Sequence, residues 1–173
     1  MILASTSENR ASLVKLIKAG GVAILPAGTV MGLFGLPSAR EKIAALKGRA
    51  AEKRFLLNVA DLEMARAIAP VNDKEAELLS NPLITVVLAN GTGVRIPDCR
   101  ILKEIIRAVG SPLISTSCNK SGEEPALSAA AAEKVFPDVP ALADDGKLAG
   151  SPSTIVKVVS GEVVVLRAGV AAL

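Results

Sequence analysis

Thr154-Ile155-Val156-Lys157-Val158-Val159-Ser160-Gly161-Glu162-Val163-Val164-Val165-Leu166 is two β-branched runs joined by a Ser-Gly step. A branched Cβ fits a pleated strand and crowds a helix. A two-residue connection containing glycine is a hairpin signal. The stretch therefore fixes one antiparallel pair near the end of the chain. Upstream, strand and helix patterns interleave without strict alternation. Together these features predict a twisted α/β sheet of mixed parallel and antiparallel strands with flanking helices.

Working back from the hairpin, Ser128 caps a short helix over 128–135. Strand signals lie at 113–115, at Val94-Arg95-Ile96-Pro97, and at 83–89, 55–59 and 22–26. Amphipathic helices are predicted over 7–19 and 98–109, with shorter ones over 61–69 and 73–79. Ser38-Ala39-Arg40-Glu41 has the capping-box pattern and opens a helix that stops near Gly48. Residues 27–35 hold three glycines and are expected to be irregular where they leave the strand. No repeat, low-complexity tract or linker interrupts the 173 residues, so a single domain spanning 1–173 is expected.

Half of the residues are apolar, which argues against disorder. The only aromatics are three Phe, so the core must be aliphatic and base stacking is a weak prospect. There is no His, which removes the commonest neutral-pH base and zinc ligand. No metal-ligand spacing surrounds Cys99 or Cys118, and no protein metal site is expected. Adjacent Asp144 and Asp145 before Gly146 read as a solvated turn. The two cysteines read as free thiols of a reducing compartment. No apolar run is long enough for a membrane span and no secretory signal is seen, so a cytoplasmic location is expected. The net charge of +3 permits an anionic partner such as ATP or RNA without demanding one.

Two stretches concentrate donors for anionic oxygen. Residues 115–125 pack hydroxyls, an amide and a lysine into what reads as one loop, and Lys47-Gly48-Arg49 ends a helix with Lys53 and Arg54 close behind. Each has an ordinary reading too, as a turn and as a solvated helix end. Arg95 inside an apolar run is either a surface charge on an edge strand or a clamp for a carboxylate. Gly150-Ser151-Pro152-Ser153-Thr154 offers further hydroxyls, and Leu166-Arg167-Ala168-Gly169 a further cation.

Taken in order, these pieces resemble the YrdC-like family of L-threonylcarbamoyladenylate synthases. The matching stretches are Gly21-Val22-Ala23-Ile24-Leu25-Pro26, Thr29-Val30 with Gly32-Leu33, Lys47-Gly48-Arg49, Val94-Arg95-Ile96-Pro97, Ser117-Cys118-Asn119 with Ser121-Gly122, Ser153-Thr154, and Leu166-Arg167 with Gly169. The resemblance implies a YrdC-like sheet around a basic concave groove. It also implies that threonine, bicarbonate and ATP are joined into threonylcarbamoyl-AMP, with release of pyrophosphate. A partner transferase would then modify an adenosine of tRNA. It assigns a catalytic set of Lys47, Arg49, Ser117 and Asn119. Thr29, Asn58, Arg95 and Ser153 would line the substrate pocket, with Arg95 on the threonine carboxylate. ATP would be held by Lys47, Arg49, Lys53, Ser117, Asn119 and Arg167, with Mg2+ carried by the nucleotide. Where the family usually shows Thr-Asp-Thr-Val-Tyr-Gly, this chain has Ala27-Gly28-Thr29-Val30-Met31-Gly32. A hydroxyl, a carboxylate and a phenol are replaced. The alternative reading is therefore a non-catalytic paralogue that binds tRNA, double-stranded RNA or a protein partner.

Overall fold

A computed structural model describes residues 1–48, 55–143, 146 and 148–172. Ten strands form one sheet: β1 (Ile2–Leu3), β2 (Ala23–Pro26), β3 (Met31–Gly35), β4 (Leu56–Asn58), β5 (Ile84–Val87), β6 (Gly93–Arg95), β7 (Leu113–Ser117), β8 (Ala141–Leu142), β9 (Thr154–Val159) and β10 (Glu162–Arg167). Their order across the sheet is β1-β8-β2-β3-β7-β4-β6-β5-β9-β10. The β2–β3, β3–β7, β7–β4, β5–β6 and β9–β10 pairs are antiparallel, and β1–β8, β8–β2, β4–β6 and β5–β9 are parallel. The sheet is mixed, as the terminal hairpin implies.

Central strands are apolar on both faces, and the two-residue pleat sorts them. Ala23, Leu25, Phe34 and Leu113 pack on one face under helices α1 (Ser7–Lys18) and α5 (Arg100–Val109). Ile24, Leu33 and Ile114 point the other way, toward α2 (Arg40–Lys47) and α6 (Ala129–Val135). Helices α3 (Leu62–Arg66) and α4 (Asp73–Leu79) contribute Ala65, Leu78 and Leu79 to a third cluster with β5, β6 and β9. Helix α5 buries Ile101, Leu102, Ile105, Ile106 and Val109 at helical spacing, and Gly110 stops it with φ 78°.

Three local expectations are corrected. Residues 31–35 are not irregular but form β3, every residue of it buried. Its glycines serve close packing: a Cβ on Gly32 would lie 2.7 Å from the Phe34 ring, and one on Gly35 would lie 2.9 Å from Ala39 Cβ. The capping box at Ser38 does not form. Pro37 starts a 3-10 turn over Pro37–Ala39, so the chain is already helical at Ser38 and α2 has no side-chain cap. A capping box forms instead between Asn72 and Glu75. Strand β7 runs on to Ser117, so Ser115 and Ser117 are strand residues rather than loop residues.

Candidate functional site

One face of the sheet turns polar where α1 and α5 no longer cover it. Register explains why. Gly32 pairs with Ser117, and Phe34 and Leu56 both pair with Ser115. Asn58 pairs with Arg95, and Ile155 pairs with both Thr85 and Arg167. Directly paired residues share a face, so these side chains lie in adjacent rows on one face of the sheet from β3 to β10. A cavity of about 290 Å³ opens above these rows. Thr29, Lys47, Arg95, Ser117, Asn119, Ser153 and Arg167 all line it, together with Ser115. Three cations therefore converge on one cavity, and no Asp or Glu lines it among the described residues.

Lys47 comes from the last turn of α2, which Gly48 ends in a left-handed conformation with φ 62°. The lysine is only 4 % exposed. Its Nζ donates to Ser117 O at 2.8 Å, to Asn119 O at 2.6 Å and to Asn119 Oδ1 at 2.6 Å. Ser117 Oγ donates to Asn119 Oδ1 at 2.7 Å, and Asn119 Nδ2 donates to Glu123 O at 2.6 Å. The lysine thus locks the turn leaving β7. The Ser117 hydroxyl spends its proton on Asn119, which leaves its oxygen as an acceptor beside the cavity. Cys118, between these two residues, points to the opposite face and packs in the α2–α6 cluster. Burial pushes its thiol up to about 11, against the pull of the nearby Lys47 charge.

Arg95 is the most constrained cation. It sits on β6, between β4 and β5 rather than on an edge, and is 4 % exposed. Nε donates to Pro82 O at 2.7 Å, one terminal nitrogen to Thr29 Oγ1 at 3.1 Å, and the other to Ala27 O at 3.0 Å. Among the described residues no carboxylate lies within salt-bridge distance of it. Burial lowers its pKa to about 10, the interaction with Cys99 acting in the opposite sense. The guanidinium stays charged at neutral pH, and one N–H on each terminal nitrogen remains for a ligand. A buried, uncompensated cation facing a cavity calls for an anion there.

Arg167 donates to Ser153 O at 2.7 Å from the end of β10, and partial burial lowers its pKa. Ser153 Oγ shares a 2.7 Å hydrogen bond with Thr85 Oγ1, both side chains being buried.

Of the residues expected from sequence, Arg49 and Lys53 lie outside the described residues. Asn58 does not line the cavity. It sits behind Ser115 and donates to its Oγ at 2.6 Å, so Ser115 presents the hydroxyl. Ser115, which lines the cavity, and Thr85, which bonds Ser153, are neighbours that the motif reading missed. The alternation of Leu113, Ser115 and Ser117 carries the signal for Ser115.

The altered segment 27–32 reads differently once placed. Ala27 faces the cavity, but Gly28 and Met31 do not line it. Met31 is buried in the α2–α6 cluster on the opposite face. Gly28 has φ 77°, and a Cβ there would lie 2.9 Å from Asp98 O, so the backbone approach itself requires glycine. Two of the three replaced groups therefore stand away from the cavity.

Comparison with known proteins agrees with this geometry. A family model for Sua5, YciO and YrdC proteins, described as telomere recombination, matches residues 15–169. A threonylcarbamoyl-AMP synthase of Dichelobacter nodosus is 31 % identical over 86 % of this chain and 90 % of its own length. The fold matches the crystal structure of P. abyssi Sua5 complexed with L-threonine, with a TM-score of 0.86 at 24 % identity. That match covers 98 % of this chain and 57 % of the Sua5 chain, so this chain spans little more than half of that protein. E. coli YciO matches with a TM-score of 0.83 at 21 % identity, over 99 % of this chain and 97 % of YciO. The chain belongs to the Sua5/YciO/YrdC family.

Proposed function

We propose that this chain is a threonylcarbamoyl-AMP synthase, an enzyme that makes the activated intermediate for threonylcarbamoyl-adenosine in tRNA. The observation that carries the reading is the cavity itself: Lys47, Arg95 and Arg167 line it without a described carboxylate, among hydroxyls of Thr29, Ser115, Ser117 and Ser153. Such a lining suits a ligand set with several negative charges. The threonine carboxylate would take the two remaining N–H groups of Arg95, with Thr29 and Ser153 beside it. The nucleotide phosphates would lie toward Arg167, the remaining N–H of Asn119 Nδ2 and Ser117, whose hydroxyl would turn from Asn119 Oδ1 to donate to them.

The chemistry follows in two steps. The threonine amine attacks bicarbonate, forming a carbamate and releasing water. A carbamate oxygen then attacks the α-phosphate of ATP, and pyrophosphate leaves on the opposite side. Negative charge is crowded before the second step and redistributed during it. Fixed cations and oriented donors in a partly enclosed cavity stabilise that redistribution. Losing one such donor costs about 3 kcal/mol of transition-state stabilisation. The roles of Arg49 and Lys53 on the phosphates are part of the same proposal. Mg2+ would arrive with ATP, because its oxygen ligands would come mainly from phosphate and water. The product is consumed by a tRNA-modifying transferase in the cytoplasm.

The alternative of a non-catalytic RNA-binding paralogue draws on the altered 27–31 segment. It loses weight because Met31 and Gly28 face away from the cavity. The test is pyrophosphate release from ATP by the purified protein. Stimulation by threonine and bicarbonate together is expected. Release that ignores both additions would reject the assignment.

A further inference from the structure

We propose that two copies of this chain associate through the outer edges of β10, in antiparallel register about Val164. Among the described residues no strand pairs with that edge, which closes the sheet on one side. Val164, Val165 and Leu166 are 43 %, 49 % and 55 % exposed, and Val159 of the same hairpin is also exposed. Four of the seven large hydrophobics exposed among the described residues thus lie in one hairpin. An edge strand of this kind is normally blunted by proline or lysine, and Glu-Val-Val-Val-Leu-Arg has neither. Its irregularity falls between Val165 and Arg167, at one end, and leaves 162–165 regular.

The choice of a second copy over another occupant comes from parity and charge. Glu162, Val164 and Arg167 pair with Val159, Lys157 and Ile155 on β9. Those three alternate positions share one face, so Glu162, Val164 and Arg167 do too, the bulge having absorbed Leu166. A two-fold axis perpendicular to the sheet requires opposed residues to lie on the same face. Centring it at Val164 satisfies this. Val164 then meets its counterpart, Val163 meets Val165, and Glu162 comes opposite the bulge that carries Arg167 of the other copy. The strand is complementary to itself in shape and in charge. Arg167 also lines the cavity, so the second copy would set a carboxylate beside one of its three cations. The contact shares Arg167 with the proposed nucleotide site, but its test reads association and needs no turnover.

The test uses the full chain. Sedimentation velocity across a concentration series should show a monomer–dimer equilibrium. Val164→Lys, which sets two ammonium groups across the axis, should leave a monomer with an unchanged circular dichroism spectrum. Glu162→Arg and Arg167→Glu should each weaken the dimer at least tenfold, and the double exchange should restore it. Val164→Cys should give a covalent dimer on mild oxidation, because directly opposed Cα atoms lie within disulfide range and Cys99 and Cys118 are both buried. A native protein that stays monomeric throughout would overturn the proposal. So would a dimer that survives Val164→Lys, or a double exchange that fails to restore association.

Discussion

Replacing Arg95 with methionine separates amino-acid recognition from nucleotide recognition. The substitution keeps an unbranched apolar stem and deletes the guanidinium. In the native chain three of its five N–H groups are held by Pro82 O, Thr29 Oγ1 and Ala27 O at 2.7–3.1 Å. In the proposed function the two that remain bind the threonine carboxylate. A hydrogen bond to a charged group contributes about 1.5–3 kcal/mol, so losing both costs at least ~3 kcal/mol of binding. That corresponds to a rise in the KM for threonine of roughly 100-fold or more. The KM for ATP should change less than about threefold, because the phosphates are assigned to the opposite side of the cavity. Arg95→Lys should fall between, since a point charge cannot reproduce a planar fork. The assay is initial-rate pyrophosphate release at varied threonine with saturating ATP, and the converse. Urea melts confirm that each variant is folded under assay conditions. A threonine KM within threefold of native would refute the reasoning, as would parallel increases for both substrates.

Other outcomes follow from the same geometry. Gly28→Ala should destabilise the fold by roughly 1–3 kcal/mol, from the left-handed backbone and the Asp98 carbonyl 2.9 Å from the new Cβ, read as a lower urea midpoint. Lys47→Met removes three hydrogen bonds from a buried charged donor, so it should cost about 3 kcal/mol of stability by urea melt and reduce turnover at saturating substrate more than 100-fold. For Cys118 the folded pKa is raised to about 11 from an ordinary value of 9.0. The unfolded thiol ionises first, so its contribution is present below pH 9 and lost between pH 9 and about 11. Denaturation midpoints across that window should fall less in Cys118→Ala, and the native thiol should resist alkylation at pH 8 until the chain unfolds.

How much of this was legible in the sequence depends on the residue. The terminal hairpin, the helix over 73–79 and the glycine stop at Gly48 follow from local rules, and the structure keeps them. Strand β3 was hidden because Gly32 and Gly35 lower local strand propensity. The reason for them is distant: the Phe34 ring and Ala39 occupy the space that a Cβ would need. Strands β1 and β8, of two residues each, are too short to show any period. Lys47, Ser117, Asn119, Arg95, Ser153 and Arg167 were singled out by their order along the chain, and all line one cavity: register brings Ser117, Arg95 and Arg167 to one face, and Lys47, Asn119 and Ser153 reach it from the end of α2 and from the turns beside β7 and β9. What sequence order could not show was direction. Met31 and Cys118 flank cavity residues in the chain and point away from the cavity, because neighbouring strand side chains alternate. Asn58 and Ser115 share a face, and Asn58 stands behind Ser115 because its amide is spent on the Ser115 hydroxyl.

The most direct measurement is mass spectrometry of the reaction of the purified protein with ATP, L-threonine and 13C-bicarbonate. The account predicts threonylcarbamoyl-AMP one mass unit heavier than with ordinary bicarbonate, formed with one equivalent of pyrophosphate and lost in Arg95→Met at low threonine. Hydrolysis of ATP without a labelled adenylate, or no turnover by a folded protein, would contradict it.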